Sequence, residues 1–230
     1  MAIAAAVLIL IGLAVFMQVY QVKLSVPAGE HLSINLPDNS KVRLNAQSEL
    51  TYKPLIWKFS RKIRFEGEAY FEVKPGKKFS VISAKGTTMV MGTSFNILSR
   101  GSNYLVTCIT GKVKVVENRL KNEIILNPKE KAELNPDGTF NVQSNINVNQ
   151  IISWLENNFG FTSVPLRRVF EEIERQYGIV IKYYSPNEYT YTGTFNRGSS
   201  LETTLEIVCR PFNLQFARKS EKVYEITEKN

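Results

Sequence analysis

The sequence predicts a mainly β chain with an α+β tail: an N-terminal transmembrane helix, an all-β domain of solenoid or sandwich type, then a small β-α-β/β-α-β-β module. Three observations predict it. The first 22 of the 230 residues carry no charged side chain, Lys23 being the first. From there to about Gln143 apolar residues recur with period two, the mark of half-buried strands. Beyond Pro165 stripes of helical period alternate with short β-branched runs. The expected divisions are residues 1–22, 23–143, a linker with a short helix over 144–158, and 159–230.

Composition narrows the function. The chain is 43% apolar and 22% charged, with 29 basic against 21 acidic residues, so it folds rather than staying disordered. His31 is the one histidine, and Cys108 and Cys209 are the two cysteines. That excludes His-pair and Cys-rich metal sites, and leaves His31 as the one candidate base for a Ser-His or Cys-His pair. No P-loop, G-x-S-x-G or G-x-G-x-x-G occurs. The sequence reads as a binding or signalling protein, with no enzyme activity, cofactor or resident metal expected.

The leading run is rich in Ala, Ile, Leu and Val and ends at Met17-Gln18-Val19-Tyr20. At 1.5 Å per residue it reaches about 30 Å, the thickness of a bilayer's hydrocarbon layer, with Tyr20 at interfacial depth. A cleaved signal peptide would want a basic start and small residues before the cut, and neither is present. A retained span is therefore expected.

Strand alternation follows through Leu24–Ala28, Leu32–Leu36 and, after the turn Pro37-Asp38-Asn39-Ser40, Val42–Ala46. It is clearest from Ile63 to Val73, where Ile63, Phe65, Gly67, Ala69, Phe71 and Val73 oppose Arg64, Glu66, Glu68, Tyr70 and Glu72. Pro75-Gly76 ends that strand; Phe79–Val81, Met89–Ile97, Leu105–Ile109 and Val113–Val116 continue the pattern, the last two joined by Thr110-Gly111. Seven basic residues between Lys41 and Arg64 face one acid, Glu49; they read as the solvated side of strands rather than as an anion-binding patch. No basic recognition helix or nucleic-acid motif occurs, so no direct nucleic-acid contact is expected. Glu66, Glu68 and Glu72 share a strand face and read as surface acids, not cation ligands. The cysteines, in different expected domains, read as buried thiols.

Asn135-Pro136-Asp137-Gly138 is a strong turn followed by a polar dozen, and marks the expected domain boundary. Ile151, Trp154 and Leu155 form a short amphipathic stretch, and Phe159–Val164 a strand. Pro165 opens a helix with Leu166, Val169, Phe170, Ile173 and Tyr177 on one stripe, closed by Gly178. Ile179–Ile181 and Tyr189–Phe195 are strands. Ser199 as N-cap and Glu202 at N3 start a second helix, burying Leu201, Leu205 and Val208 and stopping at Pro211. Leu214–Phe216 and Val223–Ile226 close the module.

Four stretches carry a family resemblance. Leu36-Pro37-Asp38-Asn39-Ser40-Lys41-Val42-Arg43-Leu44-Asn45-Ala46 resembles the L-P-D-G-S-x-V-x-L-N-A signature of FecR-type transmembrane regulators (anti-sigma factors), with Asn39 where Gly is usual. Glu66-Gly67-Glu68-Ala69-Tyr70-Phe71-Glu72-Val73, Val90–Ile97 and Thr110–Val115 resemble the same family's G-E-A-Y-F-E-V, V-x-G-T-x-F-N-V and E-G-x-V-x-V segments. Trp154, Pro165-Leu166 and Tyr191-Thr192-Gly193-Thr194-Phe195 are similar to its C-terminal module, a relative of the short N-terminal domain of secretins and TonB-dependent receptors.

The resemblance implies a single-pass inner-membrane regulator with its bulk in the periplasm. The signalling domain of a TonB-dependent outer-membrane receptor, in iron or glycan uptake, would dock on the module at Tyr191–Phe195 and Trp154. Edge strands such as Tyr189–Phe195 or Val223–Ile226 suit strand addition. A small helical cytoplasmic domain before the span would hold an extracytoplasmic-function sigma factor; these residues begin at the span, so that contact is expected outside them. Some relatives split their own chain at a Gly-Thr bond, matched by Gly92-Thr93, where a glycine required by packing is the preferred explanation. The alternative function is a membrane-tethered β-rich module that binds polysaccharide or scaffolds the envelope.

Overall fold

A computed structural model of the chain describes residues 2–229. It begins with α1 (Ala2–Val19), whose large apolar side chains, Ile3, Leu8, Ile9, Leu10, Leu13 and Phe16 among them, are exposed, while Met17 is half-buried. Its 18 residues make about 27 Å at 1.5 Å each, slightly under the usual hydrocarbon thickness. Among the described residues no helix is long and apolar enough to cross a membrane. The expected segment 1–22 is shortened at its end: Tyr20 still donates its N–H to Phe16 O at 2.9 Å, but Val22 already pairs with Tyr52 in a strand.

Thirteen strands follow: β1 (Val22–Val26), β2 (Leu32–Asn35), β3 (Lys41–Leu44), β4 (Ser48–Tyr52), β5 (Arg61–Glu72), β6 (Phe79–Ile82), β7 (Gly86–Val90), β8 (Ser94–Arg100), β9 (Asn103–Cys108), β10 (Val113–Glu117), β11 (Glu123–Leu126), β12 (Lys131–Leu134) and β13 (Phe140–Gln143). They form two sheets that share β5. The first runs β1-β4-β5-β6-β7-β10-β11 and the second β2-β3-β5-β8-β9-β12-β13. Among the described residues of these thirteen strands only β5 and β6 pair in parallel, so the solenoid alternative gives way to two mainly antiparallel sheets.

The twelve-residue β5 can serve both sheets because its pairing changes midway. Ile63–Glu66 pair with β4, whereas Gly67–Glu72 pair with β8. Gly67, at φ +118°, makes the transition, and a Cβ there would lie 2.3 Å from Ser48 Oγ. One core fills the space inside: Phe71 stacks on Phe95 at 4.9 Å and packs edge-on to Phe65 at 5.6 Å. Tyr104 Oη and Thr88 Oγ1, on different sheets, share a buried hydrogen bond of 2.8 Å. Alternation predicted this core because the inward residues Ile63, Phe65, Ala69 and Phe71 of β5 are in register with apolar neighbours such as Val81, Leu50, Ile97 and Phe95.

Three differences stand out. The strands β4, β11, β12 and β13 are absent from the sequence reading. Asn135–Gly138 is the hairpin turn between β12 and β13, clamped by Thr139 N and Oγ1 donating to Asp137 Oδ1 at 2.9 and 2.7 Å. Arg61, expected on a solvated face, is buried, because it lies two residues before Ile63 on the inward side of β5.

The chain folds as two compact units, the first ending at Ile146 and the second comprising Asn147 onward together with Pro27–His31. The second unit contains α2 (Val148–Ile151), β14 (Asn158–Pro165), α3 (Leu166–Tyr177), β15 (Val180–Tyr183), β16 (Thr190–Asn196), α4 (Leu201–Cys209), β17 (Leu214–Ser220) and β18 (Val223–Glu228). α3 starts after Pro165 and ends at Gly178, φ +67°. α4 is capped by Ser200, not Ser199: its Oγ accepts from Thr203 N at 3.1 Å, since the helix begins one residue later than expected. Among the described residues β14 pairs only with β16, and the second small sheet is ordered β15-β18-β17. Val223–Ile226 is therefore a central strand and not an edge.

Candidate functional site

In the second unit the β14–β16 pair lays down an aromatic face. Phe159 stacks on Phe195 at 5.1 Å, Phe161 on Phe195 at 5.7 Å, and Tyr191 meets Phe161 at 6.1 Å. Tyr191 and Phe195 are thus buried, and Gly193 between them leaves room for the Tyr191 ring, whose Oη would be 2.5 Å from an added Cβ. Of the residues expected to touch a partner, Thr192 and Thr194 face outward and Gly193 is half-buried. Among the described residues no strand pairs with the outer edge of β16, which leaves its backbone as the feature a partner strand could use.

Trp154, also expected to touch a partner, is buried instead. It packs edge-on to His31 at 5.7 Å, and His31 Nε2 lies 3.0 Å from Gln176 Oε1. Gly29 donates its N–H to Arg175 O at 2.8 Å, and Arg197 donates to Gly29 O. Residues Pro27–His31, which in sequence lie between β1 and β2, are thereby gripped by α3 and by the loop after β16. The sequence carried one signal of this: Gln176 continues the α3 stripe of Leu166, Val169 and Ile173, where an apolar residue would be expected.

In the first unit the motif residues converge on two networks. At the Pro37–Ser40 turn, Ser40 N and Oγ donate to Asp38 Oδ1 and Oδ2 at 3.1 and 2.9 Å. Arg61 donates from Nε to Asp38 Oδ2 at 2.7 Å and from its two terminal nitrogens to Lys77 O and Lys74 O at 2.7 and 2.9 Å. Against partial desolvation, hydrogen bonds from Ser40 and Arg61 and the guanidinium charge hold the Asp38 carboxyl below its ordinary range. The second network joins strands β5 and β8 to the residue that follows β3: Asn45 Nδ2 and Asn96 Nδ2 donate to the two oxygens of Glu68 at 2.8 and 3.0 Å. Arg100 ties the same corner to Ala46 O at 2.6 Å. Glu68 is therefore committed within the fold and not a plain surface acid. Leu36, Leu44, Ala69 and Phe71 are core, and Pro37 sits exposed on the turn.

Two family models match the chain, FecR protein over residues 22–114 and FecR, C-terminal over residues 158–225. Together they match more than half of it. The chain belongs to the FecR family. This is the family of anti-sigma regulators whose motifs the sequence resembles. The chain is also similar to two crystal structures of a protein from Parabacteroides distasonis ATCC 8503 described as a "putative anti-sigma factor". Both are 26% identical with a TM-score of 0.81; they cover 91% and 92% of this chain and 100% of the solved one. No curated protein matches.

Within the FecR domain, Gly92 and Thr93 have a packing explanation. A Cβ on Gly92 would lie 2.8 Å from Pro75 Cα, and the buried Thr93 donates its hydroxyl to Lys112 O at 3.3 Å while its own carbonyl accepts from Val73 N at 3.0 Å. Cys108, in the same domain, is buried and unbridged, and burial with the nearby Glu130 charge pushes its thiol up to about 11. Cys209, in the FecR C-terminal module, is likewise buried and unbridged, its thiol pushed up to about 12 by burial. Among the described residues no group of three His, Cys, Asp or Glu is placed to hold a metal ion.

Proposed function

We propose that the chain is the sensor and relay portion of a FecR-type anti-sigma regulator, acting by contact and not by catalysis. In this reading α1 seats the protein in the inner membrane with both folded units in the periplasm. The small shortfall in helix length lies within what local bilayer thinning and the interfacial Tyr20 accommodate. The signalling domain of a TonB-dependent outer-membrane receptor docks on the C-terminal module by adding a strand to the outer edge of β16. The change passes through α1 to an extracytoplasmic-function sigma factor across the membrane.

The observation that supports this most is the likeness, over nearly the whole chain, to a protein described as an anti-sigma factor, with both FecR models in order along the sequence. The test is titration of the full chain, held in detergent micelles, with the purified signalling domains of the source organism's TonB-dependent receptors. One of them should bind with a Kd near 10 µM or below, about −7 kcal/mol or better. Thr194→Glu, which places a charge beside the β16 edge, should weaken that binding by about tenfold, or 1.4 kcal/mol. Binding by none of them, or binding indifferent to Thr194→Glu, refutes the docking mode.

A further inference from the structure

Strand register fixes what surrounds the end of α1. β1 leaves the helix at Val22, and Val22 pairs with Tyr52, the last residue of β4. The loop after Tyr52 therefore continues past the point where the helix ends and reaches back along it: Lys53 Nζ donates to Gln18 O, and the turn Pro54–Ile56 packs on α1. The rest of the first sheet brings further loops to the same end. β5 starts there at Arg61, and because β6 is parallel to it, with Arg61 opposite Phe79, the segment Lys74–Lys78 lies there too. β7 runs the other way, with Val90 opposite Phe79, so it delivers Met91 and Gly92; Lys112 precedes β10 at the same level.

These loops are contiguous. One groove of about 550 Å³ is lined by Leu55, Lys58 and Lys77, a second of about 530 Å³ by Lys78, Met91 and Lys112, and Pro75 lines both. The surface is chemically one-sided. It carries six lysines, at positions 53, 58, 74, 77, 78 and 112, and the loop segments 53–60, 74–78, 91–92 and 110–112 contain no acidic residue; the loop after β11, whose Leu126 pairs with Val113, adds Lys129 and one acid, Glu130, whose carboxylate accepts from Asn127 N. Asp38, which lines the first groove, is tied to Arg61. Large apolar side chains stand out among the lysines: Phe59 is 84% exposed, Met91 68% and Leu55 44%. Lysines around protruding apolar residues fit the headgroup layer of an anionic membrane, where ammonium groups meet phosphates and the apolar tips enter the acyl boundary.

We propose that this end of the first sheet is a membrane-resting surface, which sits on the anionic headgroups of the leaflet from which α1 emerges. The inference rests on the reading of α1 as the anchor and adds to it a second, independent contact that fixes the orientation of the FecR domain on the bilayer. The lysines supply attraction that weakens with salt, and Phe59, Leu55 and Met91 supply depth.

The test uses the full chain reconstituted in vesicles. Phe59→Cys, Met91→Cys, Leu8→Cys in α1 and the exposed Asn141→Cys in β13 are each labelled with an environment-sensitive fluorophore. Cys108 and Cys209 are buried and stay unlabelled. Quenching by brominated acyl chains reports depth. In vesicles of phosphatidylcholine with about one third phosphatidylglycerol, labels at 59 and 91 should be quenched about threefold more than in phosphatidylcholine alone, and Asn141→Cys in neither. Lys58→Glu/Lys77→Glu/Lys78→Glu should abolish the difference while circular dichroism stays unchanged. Quenching at Leu8 with none at 59 or 91 overturns the proposal and leaves the anchor standing, pointing to an acidic soluble partner for this surface. Quenching at 59 and 91 without Leu8 supports the surface and removes the anchor. Absence of quenching at all three removes both.

Discussion

Replacing Gly67 by alanine puts a methyl group into the place where β5 passes from one sheet to the other. The new Cβ would fall 2.3 Å from Ser48 Oγ, 2.5 Å from its Cβ and 2.6 Å from its Cα. The last of these is backbone and cannot rotate away, so β4 and β5 must separate. Two costs add. A side chain held at φ +118° is strained by about 1–3 kcal/mol, and overpacking a closed contact costs another 1–3 kcal/mol. The sum, about 4 kcal/mol, is a large part of the roughly 5–15 kcal/mol that holds a domain folded. At about 2–4 °C per kcal/mol the melting temperature should fall by about 10 °C. Because the chain has two units, the assay is hydrogen exchange read by mass spectrometry beside the thermal melt. Protection should drop in β3, β4, β5 and β8 and stay unchanged in α3 and α4. Gly101→Ala is the control: φ is +51° but no atom lies within 4 Å of the added Cβ, so it should cost about 1 kcal/mol. A Gly67→Ala protein that melts within about 2 °C of the parent with unchanged exchange refutes the account of β5 as a shared strand.

The remaining outcomes concern the polar clusters and the second unit. The Asp38 carboxyl is held below its ordinary value, so it stabilises the fold above the unfolded pKa of about 4 and that contribution is lost as pH falls through the lower folded value. Asp38→Asn should accordingly be less stable than the parent at pH 7 in urea melts, with the gap closing toward pH 3. Arg61→Met strands Asp38 and the carbonyls of Lys74 and Lys77, and should cost about 3 kcal/mol in the same measurement. Neither thiol should react with a disulfide reagent at pH 8 until the chain is unfolded, since both are buried and raised far above that pH. Trp154→Ala removes the ring that His31 packs against, and should open Pro27–His31 to proteolysis while the exchange protection of β5 and β8 is unchanged.

How legible the fold was depended on where each signal is stored. The two faces of β5 were readable because twelve residues alternate without a break, and both helices of the module because caps and stripes are local. The strands Ser48–Tyr52, Lys131–Leu134 and Phe140–Gln143 were not, being short and mostly polar; the last two form a hairpin whose turn, Asn135–Gly138, reads equally well as a domain boundary. Arg61 betrayed itself only as a charge on the inward face of an alternating strand. The resemblance located the right segments at Leu36–Ala46 and Glu66–Val73, yet the reason they recur is visible only in three dimensions. Asn45, Glu68 and Asn96 belong to three separate motifs and meet in one hydrogen-bond network. Tyr191, Phe195 and Trp154 read as contact residues from the resemblance of their segments to the family's C-terminal module and from the expected edge strand, but their side chains are buried inside the module.

The placing of Pro27–His31 has a mechanical corollary. Only the five-residue β1 and the two residues before it separate that clasped loop from α1, and among the described residues β1 pairs with a single neighbour, β4. A pull on that loop is taken up first by the rung nearest to it, Val26 opposite Ser48, and has to shear the whole of β1 from β4 before it reaches the leading helix, while β2 bears its share through Leu32 opposite Leu44.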